Sequence, residues 1–150
     1  MIRTLQKADI NSVIDIWLDT NLKAHDFISA EYWKSNYELV KEMLPQAEVY
    51  VYENNQKILG FVGLSGEYIE GIFVSGEMQS QGIGKLLMNY IKDRKAELRL
   101  NVYQKNTRAI HFYQREGFEI QCEDFDDVTG EKEYVMIWKQ NSKYTEDSLC

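Results

Sequence analysis

The sequence predicts an α/β (α+β) domain in which one twisted, mostly antiparallel sheet of about seven strands is flanked by about four helices. Segments rich in β-branched and aromatic residues recur between turn residues, which is typical of strands. Four other segments carry apolar residues at the spacing of an amphipathic helix. The chain has 150 residues, 44% of them hydrophobic and 13% aromatic, which suits one domain with a buried core and leaves little room for a second.

The first third of the chain is expected to form one strand and two helices. MIRTLQ predicts a short strand, and KADINSVIDIWLDTNLKAH, which follows it, has apolar residues on one helical face. The second helix is predicted to start at Ser29, a good N-cap residue, and to end at Pro45, the only proline. Its apolar side comprises Tyr32, Trp33, Tyr37, Val40 and Leu44.

The rest of the domain is predicted to contain six strands and two helices. AEVYVYENNQKILGFVGLSGEYIEGIFV holds three antiparallel strands separated by the turns ENNQK and LSGE. A helix from Gly84 to Lys95, the strand ELRLNVY and a helix from Asn106 to Glu116 follow. FEIQCEDFD and KEYVMIWK, joined by DVTGE, complete the sheet. The domain therefore spans residues 1–139, and residues 140–150 are expected to form a disordered polar tail.

Composition limits the partners and the compartment. Seventeen basic and 24 acidic residues give a net charge of -7, which argues against a broad nucleic-acid-binding surface, so any anion must be held locally. The apolar runs are short and no basic-then-apolar leader begins the chain, so we expect no membrane association. Two cysteines are too few for a disulfide framework, and the cytoplasm is the expected compartment.

The segment from Gln79 to Lys85, QSQGIGK, is a candidate phosphate site because it joins a predicted strand to a predicted helix. The first N–H groups of a helix lack internal acceptors, the helix dipole adds positive charge, and glycines let a pyrophosphate approach the backbone. Two other phosphate motifs fail, since Gln79 and Leu86 break the Walker A pattern and Leu87 replaces the third glycine of the dinucleotide motif. The candidate ligands are Gln79, Ser80, Gln81, Gly82, Ile83, Gly84 and Lys85.

Two motifs together resemble one family. Gln79-x-x-Gly82-x-Gly84 matches the Q/R-x-x-G-x-G/A pattern of the GNAT N-acetyltransferases, although glycines at a helix start are also common as plain turn residues. NTRAIHFYQREGFE resembles the later block of that family, with Asn and Tyr seven residues apart before a Gly-aromatic pair. The resemblance covers residues 1–139. AHDFISAEYW, LVKEMLP and GFVGLSGEYIEGIFV are more narrowly similar to the YjaB-type group of small bacterial members.

The resemblance implies a mixed sheet splayed between strands four and five, with acetyl-CoA as co-substrate and no metal. The pantetheine arm would lie along the backbone of Ile72, Phe73 and Val74, which could also donate to the reaction's oxyanion. Asn106 would hydrogen-bond the cofactor, although it also suits a helix N-cap. Tyr113 would act as general acid, although helical spacing alone makes it a core aromatic. The family's loop arginines are replaced by Ser80 and Gln81, which predicts weaker cofactor binding.

The general base is the least clear role. Family members that use a glutamate on strand five or strand four would place it at Asn101 or Tyr68, and neither is acidic. Glu70 shares a side of the strand with Tyr68 and could act through water, but an ordinary solvated carboxylate is the alternative. His25, in the loop after the first helix, is the other candidate base, unless it is a plain surface residue.

The resemblance implies that the acceptor is a primary amine whose site is bordered by KAHDF, the loop between the first two helices. His25, Phe27 and Tyr68 are the candidate acceptor-binding residues, and nearby aromatics with the acidic charge suit a cation. A protein lysine, a polyamine, an amino acid and an aminocyclitol drug remain alternatives. A non-catalytic acetyl-CoA-binding module is the rival function, favoured by the missing glutamates. The protein is expected to be a monomer or a homodimer.

Overall fold

Seven strands form one sheet in the computed structural model, which describes residues 1–140. The strands are β1 (Ile2–Thr4), β2 (Glu48–Asn54), β3 (Lys57–Ser65), β4 (Tyr68–Val74), β5 (Glu97–Tyr103), β6 (Glu119–Phe125) and β7 (Lys132–Lys139). Their order across the sheet is β1-β2-β3-β4-β5-β7-β6. Every neighbouring pair is antiparallel except β4 and β5, which are parallel. The predicted mixed sheet is therefore confirmed, whereas ten of the eleven residues of the predicted tail, 141–150, lie outside the described residues.

Five helices flank the sheet. They are α1 (Ile10–Ala24), α2 (Ala30–Ser35), α3 (Tyr37–Met43), α4 (Ile83–Lys92) and α5 (Thr107–Arg115). None of these helices is both long and apolar enough to cross a membrane, within the part of the chain that the structure describes.

The segment predicted as one second helix is divided into α2 and α3 at Asn36. The Asn36 side chain donates a hydrogen bond to the Tyr32 carbonyl at 2.7 Å, and its backbone N–H donates to the Trp33 carbonyl at 3.2 Å. A short polar side chain that binds nearby backbone competes with regular helical pairing, which accounts for the break. Ser29 caps α2 as predicted, because its hydroxyl accepts from the Tyr32 N–H at 3.3 Å.

Helices cover both faces of the sheet, so the chain has two hydrophobic clusters. One cluster joins α4 and α5 to one face, and the other joins α1 to the opposite face. β3 contributes residues to both clusters, and all its residues except the two terminal ones are buried. Burial on both faces fits its nearly continuous apolar sequence, KILGFVGLS.

The parallel strands β4 and β5 create an opening in the sheet. They pair at a single position, Tyr68 against Arg99. On its other side β4 pairs with β3, but with a bulge: Gly63 faces Gly71 and Leu64 faces Ile69, which leaves Glu70 as the extra residue. A bulge bends its strand and redirects side chains, and such irregularities are frequent beside functional sites.

Candidate active site

A cleft of about 1350 Å³ opens where β4 and β5 separate. Its walls come from α1, α2, β4, the loop before α4, β5, α5 and β7. The predicted site residues that line it are His25, Tyr68, Glu70, Ile72, Phe73, Val74, Gln79, Ser80, Gly82, Ile83, Gly84, Lys85, Asn106 and Tyr113. Gln81 and Phe27 do not line the cleft, because Gln81 is exposed on the loop and the Phe27 ring packs edge-on against His25 and Tyr103.

The loop before α4 has the backbone conformation that a phosphate site needs. Gly82, the N-cap residue of α4, has φ +83°, a left-handed conformation that suits glycine, and Ser80 has φ +68°. The Gln79 side chain donates to the Val74 carbonyl at 3.2 Å and so ties the loop to the end of β4. The free N–H groups of the first turn of α4 therefore lie at the cleft.

Arg108 on α5 is a candidate phosphate ligand that the sequence analysis missed. Its guanidinium donates to Gln79 Oε1 at 2.9 Å and to Ser80 Oγ at 3.3 Å, across from the loop. The loop lacks its own arginines, and Arg108 supplies one from a distant segment. The basic residues that line the cleft are Lys23, Lys85, Lys105, Arg108 and Arg115. This local positive charge offsets the overall negative charge and weakens the argument for poor cofactor binding.

Tyr113 belongs both to the core and to the cleft. Its ring contacts the rings of Phe112 and Phe118, with centroids 5.4 and 5.6 Å away, and the residue is only 8% exposed. Nevertheless it lines the cleft, and its hydroxyl has no hydrogen-bond partner among residues 1–140. Burial raises the pKa of Tyr113 above its usual value, and the neighbouring Tyr68 raises it further. The hydroxyl is therefore protonated at neutral pH and can donate a proton.

A hydrogen-bonded chain crosses the opening from β4 to β7. The Tyr68 hydroxyl donates to Asn101 Oδ1 at 3.2 Å, and Asn101 Nδ2 donates to Glu133 Oε1 at 3.2 Å and to Asp124 at 3.1 Å. Burial, followed by the charges of Glu70 and Glu133, raises the pKa of Tyr68 to about 12. Desolvation also raises the pKa of each of these two glutamates. Glu133 was missed because nothing local in the sequence marks it.

His25 is a partly buried link between α1 and α5 instead of a free surface residue. Its Nδ1 lies 2.8 Å from Asn21 Oδ1, and its Nε2 lies 2.9 Å from Asn106 Nδ2. Because the Asn106 Nδ2 group can only donate, His25 Nε2 accepts this hydrogen bond, and the ring proton is on His25 Nδ1. Asn106 Oδ1 meanwhile accepts from the Ala109 N–H at 3.2 Å, which confirms its N-cap role. Burial lowers the pKa of His25 to about 4, so the ring is neutral near pH 7.

We expect His25 to make the fold sensitive to mild acid. Its pKa falls from 6.5 to about 4 on folding, so the unfolded chain binds the proton more readily. The stabilisation is complete above pH 6.5 and is lost as the pH falls toward 4, at up to about 1.4 kcal/mol per pH unit. Chemical denaturation at several pH values measures the slope, which should be shallower in His25→Gln. His111 is exposed, so His111→Gln is the control and should keep the wild-type slope. Equal slopes in wild type and His25→Gln would contradict the lowered pKa of His25.

Comparison with known proteins identifies the family. A model of the acetyltransferase (GNAT) domain matches residues 45–120, which contain the loop and most of the cleft. The chain belongs to the GNAT family. It is 38% identical over 140 residues to the peptidyl-lysine N-acetyltransferase YiaC of Escherichia coli K12, covering 92% of this chain and 96% of YiaC. It is 31% identical over 120 residues to E. coli YjaB, also named a peptidyl-lysine N-acetyltransferase, covering 79% and 82%.

Solved structures agree with this family membership. The solution structure of apo YjaB from E. coli superimposes with a TM-score of 0.82 at 28% identity, covering 91% of this chain and 95% of that one. An acetyltransferase from Bacillus anthracis in complex with acetyl coenzyme A has the same fold, with a TM-score of 0.56 and 24% identity over 62% of each chain. This GNAT protein is an acyltransferase with N-acetyltransferase activity.

Proposed function

We propose that this GNAT protein transfers the acetyl group of acetyl-CoA to the side-chain amine of a protein lysine. One observation carries the proposal: a single cleft contains a phosphate-type loop with basic residues, a protonated tyrosine hydroxyl without a hydrogen-bond partner among residues 1–140, and two glutamates whose pKa is raised. These are the groups needed for a phosphate-bearing donor, a leaving thiolate and a cationic acceptor. The names of YiaC and YjaB support lysine as the acceptor.

The donor would occupy the half of the cleft that the loop borders. Its pyrophosphate would accept hydrogen bonds from the first N–H groups of α4, with charge from Lys85 and Arg108. Ile72, Phe73 and Val74 line the cleft where β4 has left β5, so their backbone groups could pair with the amides of the pantetheine arm. Asn106 would contact the cofactor as well, although both polar atoms of its side chain already have partners.

The transfer would proceed by direct attack. The acceptor nitrogen adds to the thioester carbonyl, an oxyanion forms, and the C–S bond breaks as the amide is completed. Backbone N–H groups of β4 would stabilise the oxyanion. Tyr113 would donate its proton to the departing CoA sulfur, since its hydroxyl is protonated at neutral pH.

Glu70 would accept the proton of the amine through a water molecule. A lysine amine with a pKa of about 10.4 is almost entirely protonated at pH 7 and cannot attack in that form. Glu70 lines the cleft at the β4 bulge, and its raised pKa makes its carboxylate a better base than an ordinary glutamate. His25 is less suited to this role, since both its ring nitrogens are hydrogen-bonded within the protein.

Glu70→Gln should therefore alter the pH profile of kcat/KM. The loss should be largest at low pH, where the amine still needs a base, and should shrink as the pH approaches the amine pKa. His25→Ala should change the profile less. Identical kcat/KM values at every pH in wild type and Glu70→Gln would exclude any role for Glu70, and a constant loss at every pH would leave it only a role in positioning the cation.

The function itself is tested by measuring thiol release from acetyl-CoA with a panel of amines. Lysine peptides should be acetylated, whereas a polyamine, free amino acids and an aminocyclitol should react more slowly. Mass spectrometry of the peptide places the acetyl group on the lysine side chain. Binding of acetyl-CoA with no thiol release for any amine would instead support the non-catalytic module.

A further inference from the structure

Glu133 on β7 has no role in the proposed transfer, although it lies in the same cleft. It pairs with Tyr103 across β5 and β7, is partly buried, and lines the same cleft as Tyr68 and Glu70. One carboxylate oxygen accepts from Asn101 Nδ2 at 3.2 Å, which ties the side chain to β5. The other oxygen has no hydrogen bond within residues 1–140.

The groups around Glu133 are mostly acidic or neutral. Asp124 and Asp126, on and after β6, both add negative charge near its carboxylate. The negative charge of Glu133 contributes to the raised pKa of Tyr68 on β4 and of Tyr32 on α2. The Tyr103 hydroxyl on β5 donates a hydrogen bond to Asp126.

Arg99 on β5 carries a positive charge that lowers the pKa of Tyr68. Neither Glu133 nor Glu70 forms an ion pair with any residue in the described part of the chain. Glu70 is exposed, but Glu133 is partly buried, so its unpaired negative charge is costly and a cation bound in the cleft would offset that cost.

A second observation points to a polar ligand at this part of the cleft. Trp33, which is 7% exposed, lines the cleft, and its indole N–H has no hydrogen-bond partner among the described residues. Buried N–H groups are normally paired; this one is shielded from solvent, so a shift of the Trp33 ring would be needed for it to donate to a ligand carbonyl in the cleft. Tyr32 packs edge-on against Trp33 with ring centroids 4.9 Å apart. A peptide would supply both a carbonyl and a cationic side chain.

We infer that Glu133 determines acceptor specificity: its free carboxylate oxygen binds the ammonium of the incoming lysine and selects a cationic side chain over a neutral one. The inference rests on the proposed function. Glu133 holds the charge during binding, and Glu70 receives the proton when the amine attacks. The Asn101 contact positions the Glu133 carboxylate from the second strand of the opening. No bond is made or broken by Glu133 itself.

The test compares two unreactive peptides as inhibitors of lysine-peptide acetylation at about pH 8, where carboxylates are ionised. Dimethyl-lysine keeps the positive charge but cannot form a stable amide, and norleucine is a neutral analogue of similar length. In wild type the charged peptide should bind about 10- to 100-fold more tightly, the range expected for a hydrogen bond to a charged group. In Glu133→Gln this preference should fall to less than about threefold, with a raised KM for the lysine peptide.

Two further variants guard against a change in folding. Glu131→Gln makes the same charge change two residues earlier, outside the cleft, and should keep the wild-type preference. Glu133→Asp retains the negative charge and should keep part of the preference for the charged peptide. An unchanged KM for acetyl-CoA shows that Glu133→Gln is folded. A wild type that acetylates lysine peptides while Glu133→Gln keeps the full cation preference overturns this inference alone, whereas a wild type that acetylates no peptide overturns the proposed function.

Discussion

Replacing Tyr113 with phenylalanine is expected to lower kcat by about 10² to 10⁴, the usual contribution of a general acid. The substitution removes only the hydroxyl that reaches the cleft, because the ring stays among Phe112, Phe118 and the rest of the core. The KM for acetyl-CoA should change little. Steady-state thiol release with a lysine peptide measures both quantities.

Tyr134→Phe is the matched control for this prediction. Tyr134 packs against the same hydrophobic cluster but does not line the cleft, so losing its hydroxyl should leave kcat within about twofold. Thermal melting should show both variants folded. Turnover by Tyr113→Phe equal to that of wild type would mean that Tyr113 is only a core residue, as its helical spacing alone suggested.

The fold was largely predictable because its determinants are local. Each strand is a separate β-rich run. Ser29 and Asn106 mark helix starts through side-chain oxygens that accept backbone N–H groups, and Gly117 marks a helix end through its positive φ. The division of the second helix was not predictable from periodicity, since apolar residues keep their helical spacing on both sides of Asn36. What breaks the helix there is a side-chain hydrogen bond to the backbone, which periodicity does not report.

Some residues of the site could likewise be predicted from local sequence, whereas others could not. The loop from Gln79 to Lys85 and the residues Asn106 and Tyr113 belong to contiguous motifs, so the sequence identifies them. Arg108 and Glu133 reach the cleft through tertiary structure: Arg108 contacts a loop 28 residues earlier, and the position of Glu133 depends on the register of β7 against β5. Pairing register is set by distant side chains and by the whole core, so one sequence by itself does not reveal it.

His25 shows how burial changes the chemistry of a predicted residue. A histidine in a loop suggests a surface base that titrates near neutrality. Here the loop folds back so that the ring stacks on Trp33, with centroids 5.5 Å apart, and both nitrogens are occupied. The result is a structural contact between α1 and the start of α5, beside the cleft that both elements help to form.

Acetyl-CoA should stabilise the wild-type fold, and Gly84→Glu should abolish that effect. A ligand at 100 times its Kd adds about 2.7 kcal/mol to the free energy of unfolding when it binds only the folded state. Gly84 lies in the first turn of α4, where a carboxylate would occupy the N–H groups meant for the pyrophosphate and would repel its charge. Thermal melting with and without acetyl-CoA measures the difference.

The surroundings of Gly84 allow a loss of ligand binding to be distinguished from a loss of folding. A Cβ there would meet the Phe112 ring at 3.4 Å and Val74 at 3.9 Å, close to ordinary contact, so Gly84→Ala should fold and keep most of the stabilisation. An acidic residue in the first turn of a helix also favours the helix dipole, so Gly84→Glu without ligand should melt near the wild-type temperature. The loss should therefore appear only when acetyl-CoA is added. Full stabilisation of Gly84→Glu by acetyl-CoA would mean that the phosphates do not bind at the start of α4. Arg108 and Arg115 would then be the candidate phosphate ligands, because both side chains line the cleft on α5.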